Sequence, residues 1–93
     1  MRIRWTPPAV ADMQSISDYL QEHHPQYRQP TMRKLYEGIR ALKNAPYRGR
    51  FGLVEGTREL LFMPMPYVAL YSICEASIEI WRIYHTSQDR LYS

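Results

Sequence analysis

Residues Gly49 to Asp89 read GRFGLVEGTRELLFMPMPYVALYSICEASIEIWRIYHTSQD, and this stretch decides the fold. β-Branched, aromatic and aliphatic residues crowd between glycines, prolines and one short turn. These punctuating positions are Gly56, Pro64, Pro66 and Glu75–Ala76. Residues 67–73 alternate between two apolar faces, and Ile78 to Tyr84 pairs back after the turn. The pattern predicts three or four antiparallel strands.

The first half of the chain shows a short strand pattern and then helical spacing. Residues 2–5 alternate polar and apolar side chains. Thr6 followed by two prolines predicts a helix start, because threonine accepts from an unpaired amide and proline loses no hydrogen bond there. Pro25 forbids continuation, so the helix ends near His23. Its apolar stripe consists of Ala9, Met13, Ile16 and Leu20.

A second apolar stripe predicts another amphipathic helix, which Asn44 and Pro46 close. The stripe consists of Met32, Leu35, Ile39 and Leu42. Pro30 either begins the regular part of this helix or kinks its first turns. Two successive helices form an antiparallel hairpin. We therefore expect one α+β domain over residues 1–93: an N-terminal strand, a helical hairpin, and a three- to four-stranded antiparallel sheet packed against the helices.

Composition predicts a folded domain of modest stability. Apolar residues make up 45% and charged residues 23% of the 93 residues, as in ordinary globular proteins. A chain of this size buries only about 60–65% of its unfolded surface, so a permanent partner would help. The longest uncharged run, 60–74, is too short to cross a bilayer as a helix. With a single cysteine and no secretory signal pattern, we expect a cytoplasmic protein.

Positive charge is concentrated in the middle of the chain. The formal net charge is +3, and eight Lys or Arg residues between Arg28 and Arg58 stand against Glu37 and Glu55. Most of the basic residues are arginines, whose planar guanidinium pairs with two oxygens of a carboxylate or phosphate. The sequence predicts a basic patch, with solvated helix faces as the alternative.

The sequence contains no familiar cofactor motif. One cysteine and three histidines lack the spacing of zinc ligands. The four glycines match neither dinucleotide-binding nor phosphate-binding loops, and no serine sits in a glycine elbow. We expect no metal and no cofactor.

Basic residues near the ends of the predicted strands remain as candidates for function: Arg50, Arg58, Arg82 and His85. In an enzyme, arginine would stabilise a phosphorane while His85 or a tyrosine moved protons, which suffices for metal-free RNA cleavage through the 2′-hydroxyl. In a binding module, the same residues would anchor a polyanion or an acidic peptide. Structural roles are the third possibility, with His85 packed at a strand end and Arg82 in a salt bridge at the core edge.

A longer set of residues carries a resemblance that spans nearly the whole chain. It comprises Trp5-Thr6 with Ala9 and Asp12, Tyr19, Pro46, Gly49-Arg50, Gly56 to Leu60, Pro66 to Val68, Leu70-Tyr71, Ile80 to His85 and Gln88-Asp89. In this order and spacing the chain resembles the RelE/ParE superfamily, the toxin subunits of type II toxin–antitoxin modules. The resemblance is strongest to the ParE-type, plasmid-stabilisation branch.

The resemblance implies a hetero-oligomer with an acidic, DNA-binding antitoxin that wraps the helices and sheet. A toxin with a charge of +3 suits such a partner. The expected antitoxin contacts form an exposed apolar groove along the helices: Met13, Ile16, Leu20, Met32 and Leu35.

For the target, the resemblance offers two choices. Ribonuclease members act on messenger RNA at the ribosome and commonly carry an arginine after the tyrosine of the central strand, whereas Val68 follows Tyr67 here. ParE-type members inhibit DNA gyrase without obvious catalytic residues, and we expect this activity. The expected target contacts, with no covalent step, are Arg50, Arg58, Arg82, His85 and Gln88.

Two alternatives to gyrase inhibition stay open. A RelE-type, ribosome-dependent and metal-free endoribonuclease would use Arg58, Arg82 and His85 as catalytic candidates. Ribonuclease members also tend to place Lys or Arg and a terminal His or Tyr around a cleft. Together with these three candidates, the residues that could partly substitute for that set are Tyr84, Arg90 and Tyr92. The other alternative is a degenerate, non-toxic binding module.

Overall fold

The computed structural model describes residues 1–87, so Gln88, Arg90 and Tyr92 lie outside the described part of the chain. Two helices and five strands follow one another with a single 3₁₀ turn between the helices and the later strands. The elements are β1 (Arg2–Trp5), α1 (Pro7–His23), α2 (Pro25–Arg40), the 3₁₀ turn (Ala41–Lys43), β2 (Arg50–Phe51), β3 (Arg58–Leu61), β4 (Tyr67–Ile73) and β5 (Ser77–His85). The predicted α+β order is confirmed.

The strands form one five-stranded mixed sheet in the order β1-β5-β4-β3-β2. β2 to β5 form an antiparallel meander, as predicted. β1 instead lies parallel to β5, with Ile3 opposite Ile78 and Trp5 opposite Ile80. A parallel partner needs a long crossover, and here the two helices and the meander lie between β1 and β5. The first and last strands are therefore neighbours, while β2 forms the far edge.

Thr6 fixes the start of α1 and ties it to the sheet. Its Oγ1 accepts from the Ala9 amide at 3.3 Å and donates to the Ile80 carbonyl at 2.9 Å. α1 ends at His23, as predicted, and His24 alone separates it from α2. α2 starts at Pro25, where the missing amide proton costs nothing, so Pro30 lies within the helix and does not begin it.

The core lies between the helices and one face of the sheet. Its largest fully buried side chains are Tyr71, Leu35, Ile39, Leu42, Ile78 and Ile80. On the opposite face of the sheet, Val68 is buried in a second, smaller cluster with Leu70 and Tyr84. Met13, Leu20 and Leu35 are buried, so the expected exposed groove along these three residues is wrong. Their apolar stripes close the core of the single chain. Only Ile16 and Met32 of the five expected antitoxin contacts keep exposed surface.

The hydroxyl of Tyr71 fixes the segment that leads into β2. It donates to the Pro46 carbonyl at 2.7 Å and accepts from the Gly49 amide at 2.9 Å. Burial raises the pKa of this hydroxyl, against the smaller effects of the Gly49 hydrogen bond and of Arg58. A Cβ on Gly49 would lie 2.7 Å from the hydroxyl oxygen and 2.8 Å from the Glu59 carbonyl. Glycine is therefore required where the backbone crosses this ring.

Replacing Tyr71 by phenylalanine should lower the free energy of unfolding by about 1–3 kcal/mol. The ring stays, but a buried amide and a carbonyl both lose their partner. Urea denaturation followed by circular dichroism measures the change. Tyr36→Phe, at an exposed ring on α2, is the control and should stay within about 0.5 kcal/mol of the wild type. Equal midpoints for Tyr71→Phe and Tyr36→Phe would contradict this role.

Candidate functional site

Asp12 and Arg82 form a salt bridge where α1 meets β5. Arg82 donates from Nε to Asp12 Oδ2 at 2.7 Å and from Nη2 to Oδ1 at 3.0 Å. The Ile83 amide donates to the same Oδ2 at 2.9 Å. β1 ends opposite Ile80, so the carboxylate takes the place of a strand neighbour along the next part of β5. Of the roles that the sequence left open for Arg82, the structure shows the salt bridge at the edge of the core.

The salt bridge to Asp12 favours the charged form of Arg82 and engages its Nε and Nη2 atoms in hydrogen bonds. Its hydrogen bond to Asp12 raises the pKa of the guanidinium, outweighing the opposite effect of burial. The guanidinium carbon also lies 5.4 Å from the centre of the Tyr84 ring. A bidentate bond to a carboxylate is among the stronger side-chain interactions. Arg82 therefore serves first to fasten the helix to the sheet.

His85 lies at the end of β5, opposite Tyr67 in the first position of β4. The two rings meet edge to face, with centroids 5.5 Å apart. The Ser87 amide donates to Nδ1 of His85 at 3.2 Å, and the Ser87 hydroxyl lies 2.7 Å from the same nitrogen. Because a backbone amide can only donate, Nδ1 accepts and the proton of the neutral ring is on Nε2. The strand-end geometry thus selects one tautomer.

An open depression of about 520 Å³ lies beside these groups, between α1 and the β4 and β5 strands. Asp12, Ile16 and Tyr19 line it from the helix, and Tyr67, His85 and Ser87 line it from the sheet side. Burial raises the pKa of the Tyr67 hydroxyl, and the nearby Tyr19 raises it further. The volume is typical of a pocket that receives a small molecule or a partner's side chain.

Arg58 lies elsewhere, at the start of β3 and beside the β2 edge. Its Nη1 donates to the Gly49 carbonyl at 2.7 Å and to the Tyr47 carbonyl at 3.2 Å. Its guanidinium carbon lies 4.3 Å from the Phe51 ring centre and 5.0 Å from that of Tyr47. These contacts make Arg58 a support for the segment before β2.

Arg50 pairs with Glu59 on the adjacent strand. Nε and Nη2 of Arg50 lie 3.0 and 2.9 Å from Oε1 of Glu59. The Glu59 side chain is 4% exposed, while that of Arg50 is 58% exposed. A buried carboxylate needs such a partner, so removing Arg50 would leave a costly unpaired charge.

The four basic candidates thus form two separate groups. Arg82 and His85 adjoin the depression beside α1, whereas Arg50 and Arg58 adjoin the β2 edge. Arg82 and Arg50 stand in one cross-strand row through Leu70 and Glu59, three strand spacings or about 14 Å apart. The sequence pattern placed all of them at strand ends but could not separate the two sites.

Sequence reasoning missed Asp12 and Glu59 as the partners of the arginines. Asp12 entered the sequence analysis only as one of the residues of the family resemblance, and no periodic signal connects it to a strand 70 residues later. Glu59 sits in a short strand, where alternation would place a charged side chain in solvent. Within residues 1–87, no group of three or more His, Cys, Asp or Glu side chains is arranged to hold a metal ion. No helix there is long and apolar enough to cross a membrane.

Two solved structures illustrate the likeness of this fold to known proteins. A chain of the chromosomal ParDE system of P. aeruginosa superposes with a TM-score of 0.82 at 27% identity, covering 94% of this chain and 97% of that one. The YoeB dimer of Staphylococcus aureus gives a TM-score of 0.61 at 15% identity, covering 91% and 97%, and shows the fold alone. The fold class is that of the RelE/ParE superfamily toxins.

Sequence comparison gives the family. Residues 3–90 match the family described as the ParE toxin of the type II toxin–antitoxin system parDE. Curated relatives are the Y4kP protein of Sinorhizobium fredii, 31% identical over 94% of this chain and 90% of its own length, and toxin RelE2 of Caulobacter vibrioides, 32% identical over 94% and 97%. The chain belongs to the ParE toxin family of type II toxin–antitoxin systems, and an antitoxin is its implied partner.

Asp12→Asn should lower the free energy of unfolding by roughly 2–3 kcal/mol, because the amide keeps one acceptor oxygen but turns its N–H groups toward one or two of the three donors. Asp18→Asn on the exposed side of the same helix is the control. Among residues 1–87 its carboxylate accepts a hydrogen bond from Gln14 alone, so we expect a change within about 0.5 kcal/mol. Urea denaturation compares the two variants. A fully stable Asp12→Asn protein would show that the carboxylate does not hold β5.

Proposed function

We propose that this toxin inhibits DNA gyrase by surface contact, with no covalent step, and that a tightly bound acidic antitoxin neutralises it. The observation that carries the proposal is the match of residues 3–90 to the ParE toxin family. The target follows from the resemblance of this chain to the ParE-type branch, whose members inhibit DNA gyrase. Gyrase acts on chromosomal DNA, so the proposal also places the toxin in the cytoplasm.

The state of the basic side chains supports contact over RNA cleavage. The position after the central-strand tyrosine is Val68, which is buried and apolar. Arg82 is held by Asp12, and Nη1 of Arg58 is held by two carbonyls. An active site for RNA cleavage needs a cation that is poised for the phosphorane. These residues stabilise the fold, and their surroundings supply the contact surface.

The helical side of the molecule suits the antitoxin. Ile16 borders the depression, and Met32 keeps part of its surface exposed on α2. Val10 and Tyr19 on α1 are exposed as well. A basic toxin attracts an acidic partner, and the depression would receive one of its side chains. Met13, Leu20 and Leu35 support this surface from the core.

A supercoiling assay with purified gyrase tests the proposal. The toxin should block supercoiling and leave cleaved DNA trapped on the enzyme, and an equimolar amount of the antitoxin encoded beside it should restore activity. Full gyrase activity at micromolar toxin would refute the target assignment. Toxin that has been thermally unfolded serves as the control for nonspecific effects of a basic chain.

His85→Gln separates contact from catalysis. Glutamine keeps hydrogen-bonding capacity but cannot act as an acid or base near neutral pH, so a catalytic histidine would lose 10²-fold or more in rate. We expect only a modest weakening of gyrase inhibition, by less than about tenfold. Ribosome-dependent cleavage of messenger RNA by the wild type, abolished in His85→Gln, would favour the ribonuclease alternative.

A further inference from the structure

Large apolar side chains stand exposed together beside the β2 edge of the sheet. Phe51 is 81%, Leu53 75% and Tyr47 67% exposed, and Val54 is 42% exposed. We call these four residues the β2 ridge. Single exposed apolar residues are common, but several large ones within one short segment at a sheet edge are typical of an interaction surface.

Neighbouring side chains hold the β2 ridge in place. Arg58 lies against the rings of both Phe51 and Tyr47 and donates to the backbone before β2. The hydroxyl of Tyr71 holds the same segment from beneath. Such support lowers the entropy lost when the aromatic rings bind a partner.

The hairpin that carries the two aliphatic members is also closed by hydrogen bonds. The Gly52 amide donates to the Thr57 carbonyl at 2.9 Å, and the Thr57 amide donates to the Val54 carbonyl at 3.1 Å. Gly56 takes a φ of +85°, which glycine adopts at no steric cost. Leu53 and Val54 therefore project from a closed turn.

A second copy of this chain is an unfavourable occupant. In a two-fold contact across the ridge, Arg48 and Arg58 of one molecule would come close to the same two residues of the other. Within residues 1–87, no ion pair offsets the charge of Arg48 or Arg58, while Glu55 is the acidic residue of the hairpin. Like charges at close range oppose such a dimer.

A nucleic acid fits the ridge less well than a protein does. Arg50 is already paired with Glu59, and Nη1 of Arg58 is bound to carbonyls, which leaves few donors for phosphates. Leu53 and Val54 offer neither a stacking face nor a hydrogen bond. Tyrosine, phenylalanine and arginine are enriched in protein–protein interfaces.

We infer that the β2 ridge is the surface through which the toxin docks onto its protein target, in an apolar pocket rimmed by acidic residues. The inference rests on the proposed function and assigns a surface to it. β2 is the far edge of the sheet from β1, and the depression beside Ile16 lies over β4 and β5. The target and the antitoxin thus have separate primary contacts on the toxin.

Phe51→Ala tests the inference on the full chain, with Tyr27→Ala as the matched control at an exposed ring on α2. Phe51→Ala should raise the concentration for half-inhibition of gyrase by at least roughly tenfold. Its Kd for the antitoxin should stay within about twofold of the wild type. Tyr27→Ala should change neither quantity, and circular dichroism checks that both variants are folded.

Charge reversal provides an independent variant that leaves the rings intact. Arg48→Glu should weaken gyrase inhibition by roughly tenfold because it faces the acidic rim, with a smaller loss at high salt. Arg33→Glu on α2 is the control, since it is an equally exposed arginine away from the ridge. Equal inhibition by these two variants would overturn the assignment of an acidic partner.

Other outcomes identify other occupants and overturn the inference. Phe51→Ala that inhibits gyrase like the wild type removes the ridge from target binding, and loss of antitoxin affinity assigns it to the antitoxin. A wild-type dimer that Phe51→Ala dissociates assigns it to a second copy. Binding of single-stranded oligonucleotide that Phe51→Ala abolishes assigns it to nucleic acid.

A growth assay separates failure of the ridge from failure of the gyrase assignment. If the wild type leaves gyrase active but stops growth, the target proposal fails, and loss of toxicity in Phe51→Ala with antitoxin affinity intact still supports docking through the ridge. Undiminished toxicity of Phe51→Ala overturns the assignment of target docking to the β2 ridge. A wild type that neither inhibits gyrase nor slows growth overturns both.

Discussion

The attachment of α1 to β5 is the constraint on which the rest of this structure depends. Thr6 bonds to the Ile80 carbonyl, and one turn and a half later Asp12 receives Arg82 and the Ile83 amide. These bonds hold the helix beside the part of β5 that has no strand neighbour on its β1 side. They also create the depression in which His85 and Tyr67 meet. Packing of the helical layer, completion of the sheet and the shape of this surface follow from one set of hydrogen bonds.

The arginines of this toxin stabilise its fold before they serve any partner. Arg82 neutralises Asp12, Arg50 neutralises the buried Glu59, and Arg58 braces the Tyr47 and Phe51 rings. In each case the guanidinium supplies several donors or a flat face, which lysine cannot do. A toxin that acts by contact has no need of an unpaired cation in a cleft. Binding by contact needs only a surface of fixed shape.

The strand order separates two surfaces that the sequence alone could not tell apart, because both carry basic residues at predicted strand ends. The depression beside α1 combines apolar walls with hydroxyl and imidazole groups and is the surface proposed for the antitoxin. The β2 ridge at the far edge is apolar and aromatic with arginines around it. A domain of this size exposes a large part of its surface, so it can hold two such sites. Neutralisation would then require the bound antitoxin to block the approach of the target to the ridge.

The sequence by itself determined the α+β order, the start of the first helix at Thr6 and its end before Pro25. It also determined that the strands follow Gly49 and that the chain resembles ParE-type toxins. These features rest on local spacing, capping and proline chemistry, which act between residues near one another in the chain. Only the tertiary structure decided that β1 lies parallel to β5, that Met13, Leu20 and Leu35 are core residues, and that Asp12 holds Arg82. Such facts depend on which distant segments meet, and an apolar stripe looks the same whether it closes a core or receives a partner.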